Sequence, residues 1–503
     1  MLSTVSPVKT MRILLPLALL TLINATSHSP AIGASLHNSR PNIVIVMTDD
    51  QGKGDLSCLG NPVLQTPNLD RLYALSTRFT DFHVSPTCAP TRSAIMTGRH
   101  EFKNGVTHTI LERERMTLNA TTLPEVLRQA GYATGIFGKW HLGDEDAYQP
   151  GRRGFDEVFI HGAGGIGQAY GCSCADAPAN QQNTYFDNVI RHNGRFVQTK
   201  GFCTDVFFSA ALGWIQQRGN ADQPFFAYIT PNAPHAPLIA PDKYKSRFLQ
   251  AGFDDKTAAL FGMLENIDDN MGRLLASLDK WDLSRNTLLI FMTDNGQAPW
   301  SGTRNGEQFR PYTAGFKTGK GSPYEGGTSV PAFWRWPGVL GEGVDIPALT
   351  AHIDLFPTLA ALAGAKTPNN GQLEGRSLLP LLENPKTDWP DRYLFTHVGR
   401  WPKGDNPENS KYKRCAVRNT RFRLVNNSEL YDIQSDPFET INVIDQHPAI
   451  VESMRLAYDQ WWTDTLPLMV NEKTPNATTK PFFESYEKQK KETGIPAWTA
   501  PEL

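Results

Sequence analysis

The chain has 503 residues, 40% of them hydrophobic and 10% aromatic, with a formal net charge of −2. That composition excludes a disordered chain and removes the electrostatic case for nucleic acid, which calls for a basic surface. The length allows one large or two ordinary domains, and any anion-binding site has to be local.

Lys9 and Arg12 precede an apolar run at residues 13–23 that is too short to span a bilayer. Small residues follow it (Ala25, Ala31, Ala34). Residues 1–34 therefore read as a secretory signal peptide, with an uncleaved membrane anchor as the alternative. The expectation is an exported protein with no stable membrane insertion, periplasmic, secreted or lysosome-like according to its source. Export gives the six cysteines (Cys58, Cys88, Cys172, Cys174, Cys203, Cys415) an oxidising setting. Cys172, Cys174 and Cys203 could supply one disulfide, with the pairing left open.

Residues 42–48 (NIVIVMT) form a β-branched run of the kind buried on both faces of a parallel sheet. Asp49-Asp50 follows it. Sites in open α/β sheets form beyond the carboxyl ends of strands, and two adjacent buried carboxylates are costly without a cation. The pattern recurs at 288–293 (LLIFMT), followed by Asp294-Asn295-Gly296. Two strand exits reading T-D-[DN] offer an all-oxygen donor set suited to calcium or magnesium.

Between these runs, helical spacing at 122–131, 204–217 and 258–280 alternates with strand-like runs at 132–137 and 225–230. Such alternation indicates an α/β sandwich around a mostly parallel sheet. Residues 161–202 show little pattern and read as a long loop or insertion near the site. From about residue 386 short runs separated by turn residues predict a small antiparallel sheet, with a helix at 448–461 and an extended tail after Pro467. The expected division is a catalytic α/β domain over 35–385 and a C-terminal subdomain over 386–503.

Cys88-Ala89-Pro90-Thr91-Arg92 opens a helical stretch that Gly98 can end. Cys88 is thus expected at a helix N-terminus, where free N–H groups favour an anion. Arg92 returns to the same side four residues on. Lys139 and His141 are two apart after the strand at 132–137, so an extended exit would aim both at one face. His235, between Pro234 and Pro237, sits in a stiff loop and suits a general acid. The glycine-rich run 319–327 carries Lys320 and could cradle an oxyanion, but lacks the P-loop pattern. Lys317 is the near rival of Lys320. His397, Trp401 and Lys403 could line the mouth, with Trp401 stacking on a sugar.

The chain resembles the type I, formylglycine-dependent sulfatases, arylsulfatase-like members of the alkaline phosphatase superfamily. The residues that carry the resemblance are Asp49-Asp50-Gln51-Gly52, the run TPNLDRL at 66–72, C-x-P-x-R at 88–92 with T-G-R at 97–99, GKWHLG at 138–143, PHAP at 234–237, Asp294-Asn295-Gly296 and the loop 319–327. The resemblance implies an alkaline-phosphatase-like sandwich and hydrolysis of sulfate esters, with a sulfated carbohydrate as the candidate physiological substrate. It implies that a separate maturation enzyme converts Cys88 to Cα-formylglycine. One calcium, with magnesium as the alternative, would be held by Asp49, Asp50, Asp294, Asn295 and the modified residue 88. One hydroxyl of the aldehyde hydrate would attack sulfur, with Arg92 holding the hydrate. Lys139 and Lys320 would grip sulfate, His235 or Lys320 would protonate the leaving alcohol, and His141 would take the proton that lets sulfate depart. Lys53, where many members have an aromatic, and Thr91, in place of the common Ser, are departures. The alternatives are a phosphodiesterase or phosphonate monoester hydrolase on the same fold and, more remotely, an inactive sulfated-glycan-binding protein. The latter would have lost Cys88 or a ligand, and every expected position is filled.

Overall fold

The computed structural model describes residues 1–3, 35–168, 170 and 184–503. Most of the signal-peptide segment, Cys172 and Cys174 lie outside the described residues. Ten strands form one sheet in the order Val344–Ile346, Thr77–Phe79, Ala332–Arg335, Thr287–Thr293, Asn42–Thr48, Phe225–Thr230, Ala133–Lys139, Glu157–His161, Val189–His192 and Arg195–Gln198. The central strands, from Thr287–Thr293 to Glu157–His161, run parallel. Antiparallel strands flank them on both sides.

Every residue of Asn42–Thr48 is buried. Ile43, Ile45 and Met47 enter one apolar layer and Val44 and Val46 the other, as the period of two demands. Each such side chain contributes about 1.5–3 kcal/mol by burial, so the centre of the sheet is the most strongly anchored part of the chain. Helices Cys203–Gly219 and Asp255–Lys280 cover one face, and Cys88–Thr97, Leu123–Gln129 and Leu355–Leu362 the other. The run at 66–72 is scaffolding. It starts the helix Pro67–Ala74, and its Asn68 and Leu69 N–H groups donate to Asp268 of the long helix at 3.2 and 2.7 Å.

A four-stranded antiparallel sheet (Leu394–His397, Cys415–Arg418, Phe422–Val425, Glu429–Asp432) carries the helix Pro448–Thr465 on one face. The fold is the predicted sandwich with its small C-terminal sheet. Three expectations fail. Within residues 161–202, Val189–His192 and Arg195–Gln198 form a hairpin that widens the main sheet. Its turn is Asn193-Gly194, with φ of 47° and 85°, the Asn-Gly signal of a two-residue hairpin loop. The polar Arg191, His192 and Arg195 obscure it, because an edge hairpin needs little apolar alternation. The tail is not extended throughout: Pro481–Glu492 is a helix whose Phe482 and Tyr486 pack on Phe196. Trp401 and His397 do not line a mouth. Both are buried in the C-terminal core, with Trp401 Nε1 donating to Glu472 at 2.7 Å. Lys403 is tied to Glu112 at 3.3 Å.

No helix among the described residues is long and apolar enough to cross a membrane.

Candidate active site

Two neighbouring parallel strands set the site. Register pairs Thr48 with Thr293, so the T-D-[DN] exits leave the sheet side by side. Asp50 has φ 71°, a left-handed turn that Asp tolerates. Its N–H donates to Asp294 Oδ1 at 3.2 Å, and Asn295 Nδ2 donates to Asp50 Oδ1 at 3.0 Å. One ligand atom each from Asp49, Cys88 and Asp294 falls within 4.8 Å of the others, as does one each from Asp49, Asp50 and His235.

Cys88 is the first residue of the helix Cys88–Thr97, which Gly98 ends at φ 69°. Among the described residues no side chain caps that helix, which leaves its first N–H groups without a side-chain acceptor. Arg92 is 1% exposed; its Nη2 donates to Asp294 Oδ2 at 2.7 Å and its Nη1 to the Lys139 carbonyl at 2.9 Å. Lys139 ends its strand with Nζ 2.6 Å from Asp49 Oδ2. Gly138, at φ 122°, lets this strand approach the Thr230 carbonyl, where a Cβ would lie 2.0 Å away.

His141 is not on an extended exit, as its φ is 63°. The turn sends its ring to the Thr109 carbonyl, with Nε2 at 2.7 Å, while Nδ1 is buried without a partner. A carbonyl only accepts, so Nε2 carries the hydrogen and Nδ1 has a free lone pair. Burial, and then Lys139, holds this imidazole well below its usual range, hence neutral. His235 donates Nδ1–H to the Ala236 carbonyl at 2.7 Å and places Nε2 3.9 Å from Asp50 Oδ2.

Lys320 Nζ lies 2.5 Å from Asp50 Oδ1. Lys317 is elsewhere, on Tyr431 Oη and the Glu439 carbonyl at 3.1 and 2.8 Å. The glycine-rich loop is not an N–H cradle. Its Lys320, Gly321 and Gly327 amides donate to the carbonyls of Gln297, Pro86 and Tyr324. The loop contributes the Lys320 side chain instead, and its glycines permit close packing. A Cβ on Gly319 would lie 2.1 Å from the Gln297 carbonyl.

Burial raises the Asp49 carboxyl to about 6, with Lys139 pulling the other way. Burial, with Asp49 beside it, likewise brings Asp294 to about 6. For Asp50, burial acts upward but Lys320 and His235 outweigh it, holding the carboxyl below its usual range. Asp49 Oδ1 and Asn295 Oδ1 are buried with no hydrogen-bond partner among the described residues. Each such orphan costs about 1–3 kcal/mol. Oxygen donors left unsatisfied beside a carboxylate pair fit a hard divalent cation. A second acidic cluster, Asp81, His83 and Glu325, is instead filled by Arg418 and Arg423, 2.9 and 2.8 Å from Glu325 Oε1.

All ten sequence-predicted residues (Asp49, Asp50, Cys88, Arg92, Lys139, His141, His235, Asp294, Asn295, Lys320) are thus gathered at the carboxyl edge of the sheet. Thr109 and Gln297, whose carbonyls fix His141 and Lys320, belong to no motif; backbone acceptors leave no signature in residue type.

The sulfatase family model matches residues 41–365, and the model of the N-sulphoglucosamine sulphohydrolase C-terminal region matches 319–459. N-acetylgalactosamine-6-sulfatase of Rattus norvegicus is 33% identical over 375 residues, 68% of this chain and 66% of that protein. Arylsulfatase G of Mus musculus is 32% identical over 399 residues, 73% of each. The crystal structure of Ps i-CgsB superposes with a TM-score of 0.72 at 28% identity, covering 90% of this chain and 98% of that one; it is also solved in complex with k-i-k-neocarrahexaose. The phosphonate monoester hydrolase of Agrobacterium radiobacter, at 19% identity and a TM-score of 0.57 over 86% of this chain and 96% of that one, shares the fold alone. With a family model over most of the sheet and relatives at a third identity, the chain belongs to the sulfatases, sulfuric ester hydrolases of the alkaline phosphatase superfamily.

Proposed function

We propose that the protein hydrolyses a sulfate ester on a carbohydrate, using a formylglycine made from Cys88 by a maturation enzyme and a divalent cation, calcium or magnesium. The observation that carries this reading is the placement of Cys88 at an uncapped helix start, against carboxylates with two orphaned oxygens and between two lysines. The relatives named for sulfated N-acetylgalactosamine, and the neocarrahexaose bound to i-CgsB, support a sugar substrate.

Asp49, Asp50, Asp294, Asn295 and residue 88 would hold the cation, which supplies Lewis-acid polarisation of a bound oxygen. Formylglycine as its hydrate supplies one hydroxyl as nucleophile and a second whose deprotonation allows sulfate to be expelled. Arg92 fixes the first turn of the Cys88 helix against Asp294 and keeps positive charge beside residue 88. Lys139 and Lys320 turn ammonium groups toward the sulfate oxygens and neutralise charge that grows during transfer. Lys320 protonates the leaving alcohol, or His235 does so as its imidazolium: the neutral ring spends its one N–H on the Ala236 carbonyl, so Nε2 donates only after taking up a second proton. His141, neutral with Nδ1 unpartnered, accepts the proton of the second hydroxyl.

The test is protein co-produced with a formylglycine-generating enzyme, assayed on N-acetylgalactosamine 6-sulfate, aryl sulfate, aryl phosphate and an aryl phosphonate. Preference for the sulfates, and an aldehyde at residue 88 by peptide mass spectrometry, is expected. Faster turnover of phosphate or phosphonate, or full activity with an intact thiol, refutes the reading.

Calcium should stabilise the protein more at pH 7 than at pH 5. Asp49 and Asp294 have folded pKa values near 6, above about 3.9 unfolded. Their protonated forms therefore stabilise the metal-free fold fully below about pH 4, and that contribution is lost as pH rises through 6. The cation binds the ionised carboxylates. At a hundredfold excess over Kd it contributes about 2.7 kcal/mol. Differential scanning calorimetry with and without chelator should show the calcium-dependent rise in Tm growing from pH 5 to pH 7. An equal rise at both pH values would contradict the assigned ligands.

A further inference from the structure

Two arginines of the C-terminal part reach the catalytic edge, and among the described residues no carboxylate answers them. Arg414 Nη2 donates to the carbonyl of Gly321, next to Lys320, at 2.9 Å. Gly321 N–H in turn donates to the Pro86 carbonyl at 2.7 Å, two residues before Cys88. Arg400 Nη2 donates to Thr109 Oγ1 at 3.0 Å, and the carbonyl of the same Thr109 holds His141. Each guanidinium is therefore tied by one bond to a residue that positions or adjoins a proposed catalytic group, and each bond goes to a neutral oxygen.

Among the described residues neither Arg400 nor Arg414 forms an ion pair, whereas their neighbours Arg113 and Lys403 are matched by Glu472 and Glu112 at 3.0 and 3.3 Å. Arg400 Nε is buried with no acceptor. Burial, and then Arg113, Arg400 and Arg414, push His108 down to about 3, which sets three guanidinium charges around it. Arg400 and Arg414 both sit in the left-handed region, at φ 58° and 57°. That conformation costs a non-glycine residue about 1–3 kcal/mol and persists where the surroundings enforce it. Arg414 is exposed and Arg400 half-buried, so both are open to a ligand.

Guanidinium groups of this kind, pre-oriented and short of acceptors, recognise an oxyanion through paired N–H donors. The reactive sulfate already has Lys139, Lys320 and Arg92. We propose that Arg400 and Arg414 hold a second anionic group of the substrate, a sulfate or a carboxylate on the same or the adjoining sugar, and so make the protein selective for multiply anionic carbohydrates. This rests on the sulfatase reading above and names its substrate class.

The experiment compares kcat/KM for a monosulfated disaccharide with that for two relatives, one carrying a second sulfate and one carrying a uronate carboxylate. It uses the wild-type protein, Arg414→Gln and Arg400→Gln. The wild type should prefer at least one dianionic substrate. Each variant should lower the dianionic-to-monoanionic ratio about tenfold or more, chiefly through KM, with a shallower dependence of KM on salt. Loss of preference toward the disulfated sugar alone assigns the pocket to sulfate, and toward the uronate alone to carboxylate. A wild type that hydrolyses the monosulfated sugar with no dianionic preference, or variants with an unchanged ratio, overturns the proposal and leaves the sulfatase reading standing. A wild type inactive on every sulfate ester defeats both. Arg414, being exposed, carries the test should Arg400→Gln fail to fold.

Discussion

Cys88→Ala is expected to lower kcat/KM on any sulfate ester by at least about a thousandfold, since on the proposed reading it removes the nucleophile and leaves only binding and electrostatic stabilisation. The fold should survive. Cys88 is small and begins its helix, and the carboxylates around it keep Lys139, Lys320 and Arg92 as partners. Far-ultraviolet circular dichroism and Tm should therefore stay close to the wild type while turnover disappears. Cys58→Ala is the control: its thiol lies against Asp70, outside the site, and activity should be kept. Retained turnover in Cys88→Ala would remove residue 88 from the chemistry altogether.

Glu325→Ala should produce the largest loss of stability, about 3–5 kcal/mol, the cost of leaving buried charge without its partner. Glu325 is 4% exposed and its Oε1 receives Arg418 Nε at 2.9 Å and Arg423 Nη2 at 2.8 Å, both from the C-terminal sheet. His83 lies 3.8 Å from the other oxygen. Burial acts to raise this carboxyl, but Arg423, His83 and Arg418 outweigh it and hold it well below the usual Glu range. Its contribution is therefore present at and above ordinary Glu titration and is lost as the pH falls through its lowered folded pKa. Urea unfolding at pH 7 and at pH 3 should show Glu325→Ala less stable than wild type at both, with the difference reduced at pH 3, which lies between the unfolded and the lowered folded pKa. A loss under 1 kcal/mol at pH 7 would show that the two arginines find other partners.

Much of this site is legible in the order of residues, because its groups follow strands whose apolar runs are unambiguous. The doubled T-D-[DN] exits are an example: parallel pairing of Asn42–Thr48 with Thr287–Thr293 needs only that both runs be buried on two faces. Local pattern misleads where the wider context overrides it. Trp401 resembles a sugar platform, yet a large ring near a loop is as readily drawn into a core, here beside Phe102 and Trp462. The spacing of Lys139 and His141 suggests an extended exit, while a left-handed turn and the distant Thr109 carbonyl set the His141 ring. Arg400 and Arg414 carry no motif. Their interest lies in having no counter-charge among the described residues, which only the assembled neighbourhood reveals.

The depth of Cys88 constrains the order of events in making this protein. At 2% exposure it is walled in by helix, sheet and the Gly321–Pro86 contact, and no second polypeptide could close an active site around it there. Any catalyst that alters this thiol has to meet residues 88–92 as an unfolded strand, before the exit pairs zip together across a separation of 245 positions. On the reading proposed above, maturation and folding would then compete for one short window, and a chain that folds first would keep its sulfur.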